Sequence, residues 1–350
     1  MKRVLNWLPK NTAAVICTSH NRRYLTTFSS SLGYLFVSGE KATLIIDGRY
    51  FLAAKKTVKN TEVILLENLS EQLQELLKKS GAERVLTENT ITVGELADLK
   101  EKLGDIDVLP NEGLSEFLDE LRSVKSDYEI ECIEKAQRIA ERAFSETLNF
   151  IKPDVNEREI AARLEYSMKL LGSEKESFDT IVVSGNKSAM PHGVPDGNLI
   201  KKGDFVTMDF GATYNGYHSD MTRTVAVGFA TDKMHEVYQT VLKANLEAEK
   251  AVKAGVKCSE VDRVARDVIE QKGYGKYFTH SLGHSVGLLI HESPSLSPKS
   301  QAVLKAGNVI TDEPGIYIDN EFGVRIEDML VVTENGSKNL TLAEKSLIIL

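Results

Sequence analysis

The sequence predicts an α/β domain followed by an α+β domain that is built from two related halves. Short apolar runs alternate with amphipathic helical stretches in the first third of the chain. A helix-capping pattern near residue 125 opens a different region, and a weak internal repeat runs through the rest. At roughly 150 residues per domain, the 350 residues also fit about two domains.

The first 124 residues are predicted to form the α/β domain. Two stretches have the spacing of amphipathic helices, residues 69–80 and 93–102. Apolar runs predict strands at 13–17, 34–38, 42–46 and 62–66.

The second domain is predicted to span residues 125–350. Ser126 with Glu129 three residues later forms a capping box, and a helical pattern follows to about residue 150. We place the boundary between Arg122 and Ser126, where no linker rich in Pro, Gly or Ser occurs.

An internal repeat runs through the second domain, with matched residues in the same order at offsets near 100. The matches include Glu159 with Glu260, Gly172 with Gly273, Gly203 with Gly307, Asp209 with Glu313 and Asp220 with Glu327. This period is too long for a solenoid of about 20–50-residue units. It predicts two half-domains, each with helices followed by a hairpin, that are related by a pseudo-twofold axis.

The repeat places acidic residues at matching positions of the two halves. These are Asp209, Asp220, Glu313 and Glu327. Four carboxylates that share a partly buried site cannot all stay ionised without cations, so the pattern favours a metal site. Asn215-Gly216 predicts a type I′ turn, which would put Asp220 opposite Gly211 and on the same sheet face as Asp209.

Four of the seven histidines stand among Gly, Ser and Pro residues and are better explained by a site than by packing. They are His192, His280, His284 and His291. The remaining histidines, His20, His218 and His235, have no such context and are expected to be structural or exposed.

Composition excludes several classes of protein. Hydrophobic residues (42%) and charged residues (27%) stand at ordinary globular levels, and the net charge of −8 argues against a nucleic-acid binder. No apolar run approaches ~18 residues and no signal peptide is evident, so we expect no membrane span. The three scattered cysteines indicate reduced thiols, and we expect a cytoplasmic protein.

Several stretches together resemble a known family. They are Pro191-His192-Gly193, Met208-Asp209-Phe210-Gly211, Ser219-Asp220-Met221-Thr222-Arg223-Thr224, Gly283-His284, Ile290-His291-Glu292, Glu313-Pro314-Gly315-Ile316-Tyr317 and Gly323-Val324-Arg325-Ile326-Glu327-Asp328. They resemble the pita-bread metallopeptidases, most of all the Xaa-Pro aminopeptidase and prolidase branch, over about residues 126–340. More loosely, residues 21–26 and 47–50 are similar to the creatinase-type N-terminal domain of that branch.

The resemblance implies two divalent metal ions and five ligands. The ligands would be Asp209, Asp220, His284, Glu313 and Glu327. Asp220 and Glu327 would bridge both metals, Asp209 would complete one, and His284 with Glu313 the other. Carboxylate oxygens with one imidazole suit Mn²⁺, which the family also favours, with Co²⁺ or Zn²⁺ as alternatives.

The resemblance further implies hydrolysis of the Xaa-Pro bond at the N-terminus of a peptide by a metal-bridging hydroxide. The enzyme would be an Xaa-Pro aminopeptidase or an Xaa-Pro dipeptidase. Glu313 would transfer protons, and His291 would stabilise the oxyanion. His192, a further catalytic position, would contact the substrate together with His280, His291 and Arg325. A homodimer or homotetramer is implied as well.

Three positions depart from the family pattern. Ser285 stands where glycine is usual, Leu289 where an acid is more usual, and Asp312 where an apolar residue precedes the glutamate. None removes a ligand, so substrate preference is the property they put in doubt. On a strand, Asp312 would point away from the face of Glu313.

Two alternatives arise from other classes of protein. Residues 283–287 read G-x-S-x-G, the nucleophile-elbow string of serine hydrolases, but the prolines that follow do not favour a helix and His291 is too near. We reject that interpretation. The other alternative is a non-catalytic pita-bread module that binds peptides or proteins. Five intact ligand positions argue against it. Methionine aminopeptidases lack this type of N-terminal domain, and creatinase works without these ligands.

Overall fold

A computed structural model describes residues 1–39 and 41–350. The described chain divides into two compact units, Met1–Arg122 and Ser123–Leu350. The division lies just before residue 125, where the sequence predicts the second domain to start.

The first unit is an α/β domain around a mixed sheet. Its elements in chain order are α1 (Lys2–Trp7), β1 (Thr12–Ile16), α2 (Ser19–Thr26), β2 (Tyr34–Ser38), β3 (Lys41–Ile46), α3 (Gly48–Thr57), β4 (Glu62–Leu65), α4 (Leu69–Ser80), β5 (Arg84–Glu88), α5 (Val93–Leu103), β6 (Asp107–Asn111) and α6 (Glu112–Ser123). Within the described residues, six strands form one sheet in the order β4-β3-β2-β1-β5-β6. Strand β2 is antiparallel to both neighbours, and the other pairs are parallel.

Local signals in the sequence explain why these elements form where they do. Helix α4 begins where the side chain of Asn68 accepts from the backbone N–H of Glu71, and it ends at Gly81 in the left-handed conformation, φ 65°. The predicted strands and helices of this domain are confirmed as β1 to β4, α4 and α5, with bounds that differ by at most one residue. The remaining elements of this domain were not predicted.

The second unit carries the internal repeat. Its elements are α7 (Asp127–Thr147), α8 (Glu157–Leu170), β7 (Ile181–Ser184), β8 (Phe205–Phe210), β9 (Thr213–Tyr214), β10 (Tyr217–His218), β11 (Met221–Ala226), α9 (Asp232–Ala251), α10 (Cys258–Gln271), β12 (Gly283–Ser285), β13 (Glu292–Leu296), β14 (Val309–Asp312), β15 (Gly315–Ile318), β16 (Phe322–Arg325), β17 (Asp328–Val332) and β18 (Ser337–Asn339). The predicted capping box opens α7, because Ser126 and Glu129 each accept from the other's backbone N–H.

The two halves of this unit share the same main elements, two helices followed by an interrupted hairpin. Helices α8 and α10 have 14 residues each and occupy the same place in their halves. An isolated β-bridge follows the same pattern in both, joining Asn156 to Leu199 in the first half and Lys257 to Val303 in the second. One buried cluster packs α7 and α8 on the first hairpin, and another packs α9 and α10 on the second. The predicted pseudo-twofold organisation is therefore confirmed.

In the first half, one long hairpin is interrupted in its middle. Asn215 and Gly216 form its turn with φ values of 45° and 67°, as a type I′ turn requires. Strands β9 and β10 continue the register of β8 and β11. Because Met221 pairs with Phe210 at one side of the break, that register places Asp220 opposite Gly211, as predicted.

The second half repeats this design. Strands β14 and β17 pair up to Asp312 opposite Asp328, and β15 and β16 continue in the same register from Gly315 opposite Arg325. The residues between these pairs include Glu313 and Glu327. Asp220, Glu313 and Glu327 thus stand at the interruptions of the two hairpins, whereas Asp209 lies in β8, paired with Thr222.

Among the described residues, no helix combines the length and the apolar character needed to cross a bilayer.

The break in the first hairpin requires glycine at position 211. A Cβ there would lie 1.9 Å from the carbonyl oxygen of Ser219, so Gly211→Ala must displace one strand from the other. We expect the melting temperature to fall by about 5–10 °C, the equivalent of a destabilisation of about 2–3 kcal/mol. Gly336→Ala, where a Cβ meets open space, is the matched control and should leave the melting temperature within about 2 °C. Equal melting temperatures for both variants would contradict the steric argument.

Candidate metal centre

The two broken hairpins bring the four acidic residues to one site. Asp209 lies near the end of β8 and Asp220 just before β11, while Glu313 follows β14 and Glu327 precedes β17. Strand β12, which pairs with β14, supplies His284. The five predicted ligands therefore come from strand β8, from the interruptions of the two hairpins and from strand β12.

The ligand atoms of these residues are close together. Oxygens of Asp220 and Glu327 and a ring nitrogen of His284 all lie within 4.8 Å of one another. The Nε2 atom of His284 is 3.5 Å from Asp220 Oδ2 and 3.5 Å from Glu313 Oε1. These distances bring four of the five predicted ligands together.

Burial and mutual repulsion raise the pKa of three carboxyl groups of the site, those of Asp220, Glu313 and Glu327. Burial raises the pKa of Glu313 to about 8, where the charge of Asp209 adds to the effect and Arg325 opposes it. Burial and the neighbouring acids also raise the pKa of Asp220 and of Glu327 well above the ordinary value. A bound cation would remove this electrostatic penalty, since it favours the charged forms.

His284 is prepared for metal coordination. Burial, with the nearby His291, lowers the pKa of His284 to about 4, so the imidazole is neutral at physiological pH. Its Nδ1 atom lies 3.2 Å from the carbonyl oxygen of Ser285, which can only accept. Nδ1 therefore carries the proton, and the lone pair of Nε2 is left for a metal.

Asp209 joins the group through Arg325. The Nη2 atom of Arg325 donates to Asp209 Oδ2 over 2.7 Å. The other oxygen, Oδ1, is buried and accepts no hydrogen bond from any residue that the structure describes. A buried carboxylate oxygen without a donor suits a metal ligand, and the donor set of four carboxylates and one imidazole fits divalent ions.

Arg325 connects this group to two further side chains. Its Nη1 atom donates to the hydroxyl of Tyr317 over 2.8 Å, and Nε donates to Thr222 Oγ1 over 2.9 Å. The Thr222 hydroxyl in turn donates to Glu327 Oε2 over 2.7 Å. Arg325, predicted to bind substrate, is only 3% exposed and is engaged with the site's own residues. Tyr317 and Thr222 lie within the motifs named above, yet the sequence assigned them no role.

The other three site histidines surround this group. His280 Nε2 is 2.9 Å from the Tyr317 hydroxyl, and the exposed ring of His291 packs edge-on against His284 at 4.4 Å between centroids. His192 is exposed on a loop and near enough to contribute to the lowered pKa of His280, which burial dominates. His280 and His291 thus contact Tyr317 and His284 of this group.

Glu157 fixes the base of the loop that carries His192. Its carboxylate is fully buried and accepts from Ser184, Asn198 and the ammonium group of Lys187. No motif in the sequence indicated this role, because Glu157 reads as an ordinary residue of the first turn of a helix.

The positions that depart from the family pattern do not enter the ligand group. Asp312 is fully buried and faces Asn245, whose amide donates to it over 3.3 Å, so it points away from Glu313 as predicted. Ser285 is buried, and its hydroxyl donates to the carbonyl of Val309. The chain after Ser285 enters a hairpin loop and not a helix, which excludes a nucleophile elbow.

Of the remaining histidines, His218 is buried and His235 is exposed.

Comparisons with known proteins identify the family. The family model described as metallopeptidase family M24 matches residues 131–334, and the creatinase/prolidase N-terminal domain matches residues 10–124. The chain belongs to metallopeptidase family M24. The M24 fold and its two-domain architecture thus confirm the fold class predicted from the sequence.

Relatives of this M24 chain match over nearly its whole length. An Xaa-Pro dipeptidase of Pyrococcus furiosus is 44% identical over 316 residues, covering 90% of this chain and 89% of the relative. A solved Xaa-Pro dipeptidase from Bacillus anthracis has a TM-score of 0.93 and 42% identity, covering 97% and 95% of the two chains. An X-Pro aminopeptidase from Thermotoga maritima has a TM-score of 0.93 and 35% identity, covering 100% and 99%.

The raised pKa of Glu313 predicts how the metal-free protein responds to pH. Folded Glu313 keeps its proton up to about pH 8, whereas an unfolded glutamate loses it near 4.5. The folded state therefore binds more protons between about pH 6.5 and 8, and the free energy of unfolding should fall as pH rises, by at most about 1.4 kcal/mol per pH unit for one proton. His284 is neutral in both states over most of this range.

Urea denaturation of chelator-treated protein at about pH 6.5, 7.25 and 8 measures this slope. Glu313→Gln removes the titrating group and should flatten the dependence relative to the unmodified chain. Parallel slopes for the two proteins would show that Glu313 is already ionised at the lowest of these pH values.

Proposed function

We propose that this chain is a dinuclear metallopeptidase that hydrolyses the Xaa-Pro bond at the N-terminus of peptides. The observation that carries the proposal is the convergence of four carboxylates and the neutral imidazole of His284, with Asp209 Oδ1 buried and accepting no hydrogen bond among the described residues. The relatives named Xaa-Pro dipeptidase and X-Pro aminopeptidase support the substrate class.

The ligand set would comprise five residues, which together would hold two divalent ions. These residues are Asp209, Asp220, His284, Glu313 and Glu327. Two divalent ions bound there would supply Lewis acidity, which polarises the scissile carbonyl and acidifies a bound water. We favour Mn²⁺ over Co²⁺ or Zn²⁺, because hard carboxylate oxygens dominate the set.

The chain's own residues would position the peptide and move protons. Glu313, as a carboxylate of the site, would accept a proton and return it to the departing proline nitrogen. His291 would donate to the developing oxyanion, and His192 and His280 would hold the substrate beside it. The ion pair with Arg325 would hold the carboxylate of Asp209 in its orientation.

The remaining assignments follow from the same proposal. Residues 125–350 would carry the chemistry and residues 1–124 a creatinase-type domain. We further propose a cytoplasmic homodimer or homotetramer. A non-catalytic peptide-binding role is not favoured, since the ligand set is intact.

Two peptides test the proposal and distinguish an Xaa-Pro aminopeptidase from an Xaa-Pro dipeptidase. The protein is loaded with Mn²⁺ and incubated with an Xaa-Pro dipeptide and an Xaa-Pro-Yaa tripeptide, beside a chelated control, and mass spectrometry identifies the products. Metal-dependent release of the first residue from the tripeptide defines an aminopeptidase, and cleavage of the dipeptide alone defines a dipeptidase. A metal-loaded protein that cleaves neither peptide contradicts the proposed substrate.

Asp220→Asn tests the ligand assignment directly. The amide is a weaker ligand and cannot bridge two cations as a carboxylate does, so we expect the bound metal to fall from two ions toward one or none, with at least about a 100-fold loss of kcat. Metal content after gel filtration measures the first effect. Asp319→Asn, at an exposed position in the turn of the second hairpin, is the matched control. It should retain both the metal content and the kcat of the unmodified chain. Full metal content in Asp220→Asn would refute the assignment.

A further inference from the structure

Lys125, at the start of the second unit, is a buried cation outside the ligand group. Its side chain is 1% exposed, and its Nζ atom lies 3.0 Å from Glu292 Oε2, whose side chain is 3% exposed. The same ammonium group donates to Ser285 Oγ over 3.0 Å and to the carbonyl oxygen of Ser123 over 3.3 Å. Burying a lysine with a carboxylate is unfavourable unless both groups are well hydrogen-bonded, so this arrangement calls for a reason.

The two side chains held by Lys125 have a special place in the fold. Ser285 and Glu292 are cross-strand partners that close the loop between β12 and β13. Ser285 directly follows His284, and Glu292 directly follows His291. The ammonium group of Lys125 therefore contacts the side chain of the residue that follows each of these two histidines.

The loop itself is fitted around the ion pair. The second oxygen of Glu292 accepts from the backbone N–H of Leu289 over 3.3 Å. A Cβ at Gly287 would lie 2.5 Å from Glu292 Oε2, so the carboxylate fills the space beside this glycine. The imidazole rings of His284 and His291 meet at 4.4 Å between centroids, beside the closing pair.

Lys125 is in turn anchored to the strand that leads to Glu313. Its backbone N–H donates to the carbonyl oxygen of Gly307 over 2.9 Å, and the amide of Asn308 donates to the Ser123 carbonyl over 2.8 Å. Strand β14 begins at the next residue, Val309. The backbone of Lys125 is thus held beside β14, while its ammonium group contacts β12 and β13.

We propose that Lys125 is a positioning residue that sets the distance and angle between the imidazoles of His284 and His291. It acts through Ser285 and Glu292 and touches neither metal nor substrate. This inference rests on the proposed roles of His284 as a ligand and His291 as a substrate-facing group.

Lys125→Met tests the proposal, because methionine has a similar length but no charge or donor. We expect kcat to fall about 10- to 100-fold with KM changed less than about threefold, since the displaced His291 acts in the transition state. The visible absorption spectrum of the Co²⁺-loaded protein should change as well, because it reports the geometry at His284. Lys135→Met, which removes a lysine from an exposed ion pair with Glu131, should alter neither readout.

A double variant separates positioning from stability. Lys125→Met leaves Glu292 buried without this cation, so the melting temperature of the variant protein should fall. Adding Glu292→Gln removes the charge and should restore most of the melting temperature, while kcat and the Co²⁺ spectrum stay altered. If kcat and the spectrum return together with the melting temperature, or if Lys125→Met lowers only the melting temperature, the proposal is overturned.

Ser285→Ala provides a test that keeps the ion pair intact. It removes one contact of Lys125 from β12, and we expect a smaller change of the Co²⁺ spectrum in the same direction as for Lys125→Met. An unchanged spectrum in a folded Ser285→Ala protein overturns the proposal. If the unmodified protein cleaves no Xaa-Pro peptide, the proposed function fails, but the spectral comparison still decides the role of Lys125.

Discussion

Mutual repulsion among four clustered carboxylates, two of them fully buried, is the constraint on which this site depends. Burial and neighbouring negative charge raise the pKa of Asp220, Glu313 and Glu327, so the metal-free site is an unfavourable place for negative charge. Asp209 is paired directly with a cation, Arg325, over 2.7 Å. The rest of the local structure holds these groups together against their repulsion, with a paired hairpin from each half and hydrogen bonds from the hydroxyls of Thr222 and Thr311. The fold therefore holds together acidic groups that a bound cation would stabilise.

The sequence indicated which acidic residues would lie close together, because its signals are periodic and local. The repeat paired Asp209 with Glu313, and the Asn215-Gly216 turn fixed the register that puts Asp220 on the same face. The internal symmetry is visible in the amino-acid sequence alone, because a glycine stands at the same turn in both halves, Gly203 and Gly307. Both glycines adopt positive φ, which explains why the residue type repeats. Helix caps and apolar periodicity predicted the element bounds to within a residue where the pattern was strong.

Other features were beyond the reach of the sequence because they depend on contacts between distant segments. Lys125 and Glu292 are separated by 167 positions, and nothing near either residue in the sequence indicates a buried partner. Glu157 looks like a favourable first-turn acid, although its carboxylate organises the loop of His192. The hydrogen bonds of Arg325 to Asp209, Thr222 and Tyr317 likewise join separate segments, and the sequence alone did not indicate these partners.

The division of the ligands between two hairpins has a consequence for biosynthesis. A nascent chain emerges from its N-terminus, so the first hairpin, with Asp209 and Asp220, can form before Glu313 and Glu327 have been translated. At that stage only two of the four carboxylates are present, and the electrostatic penalty for folding the first half is smaller than in the complete domain. The full penalty arises when the last hairpin docks. On the proposed ligand set, a translation product that ends before Glu313 would lack two of the five ligands.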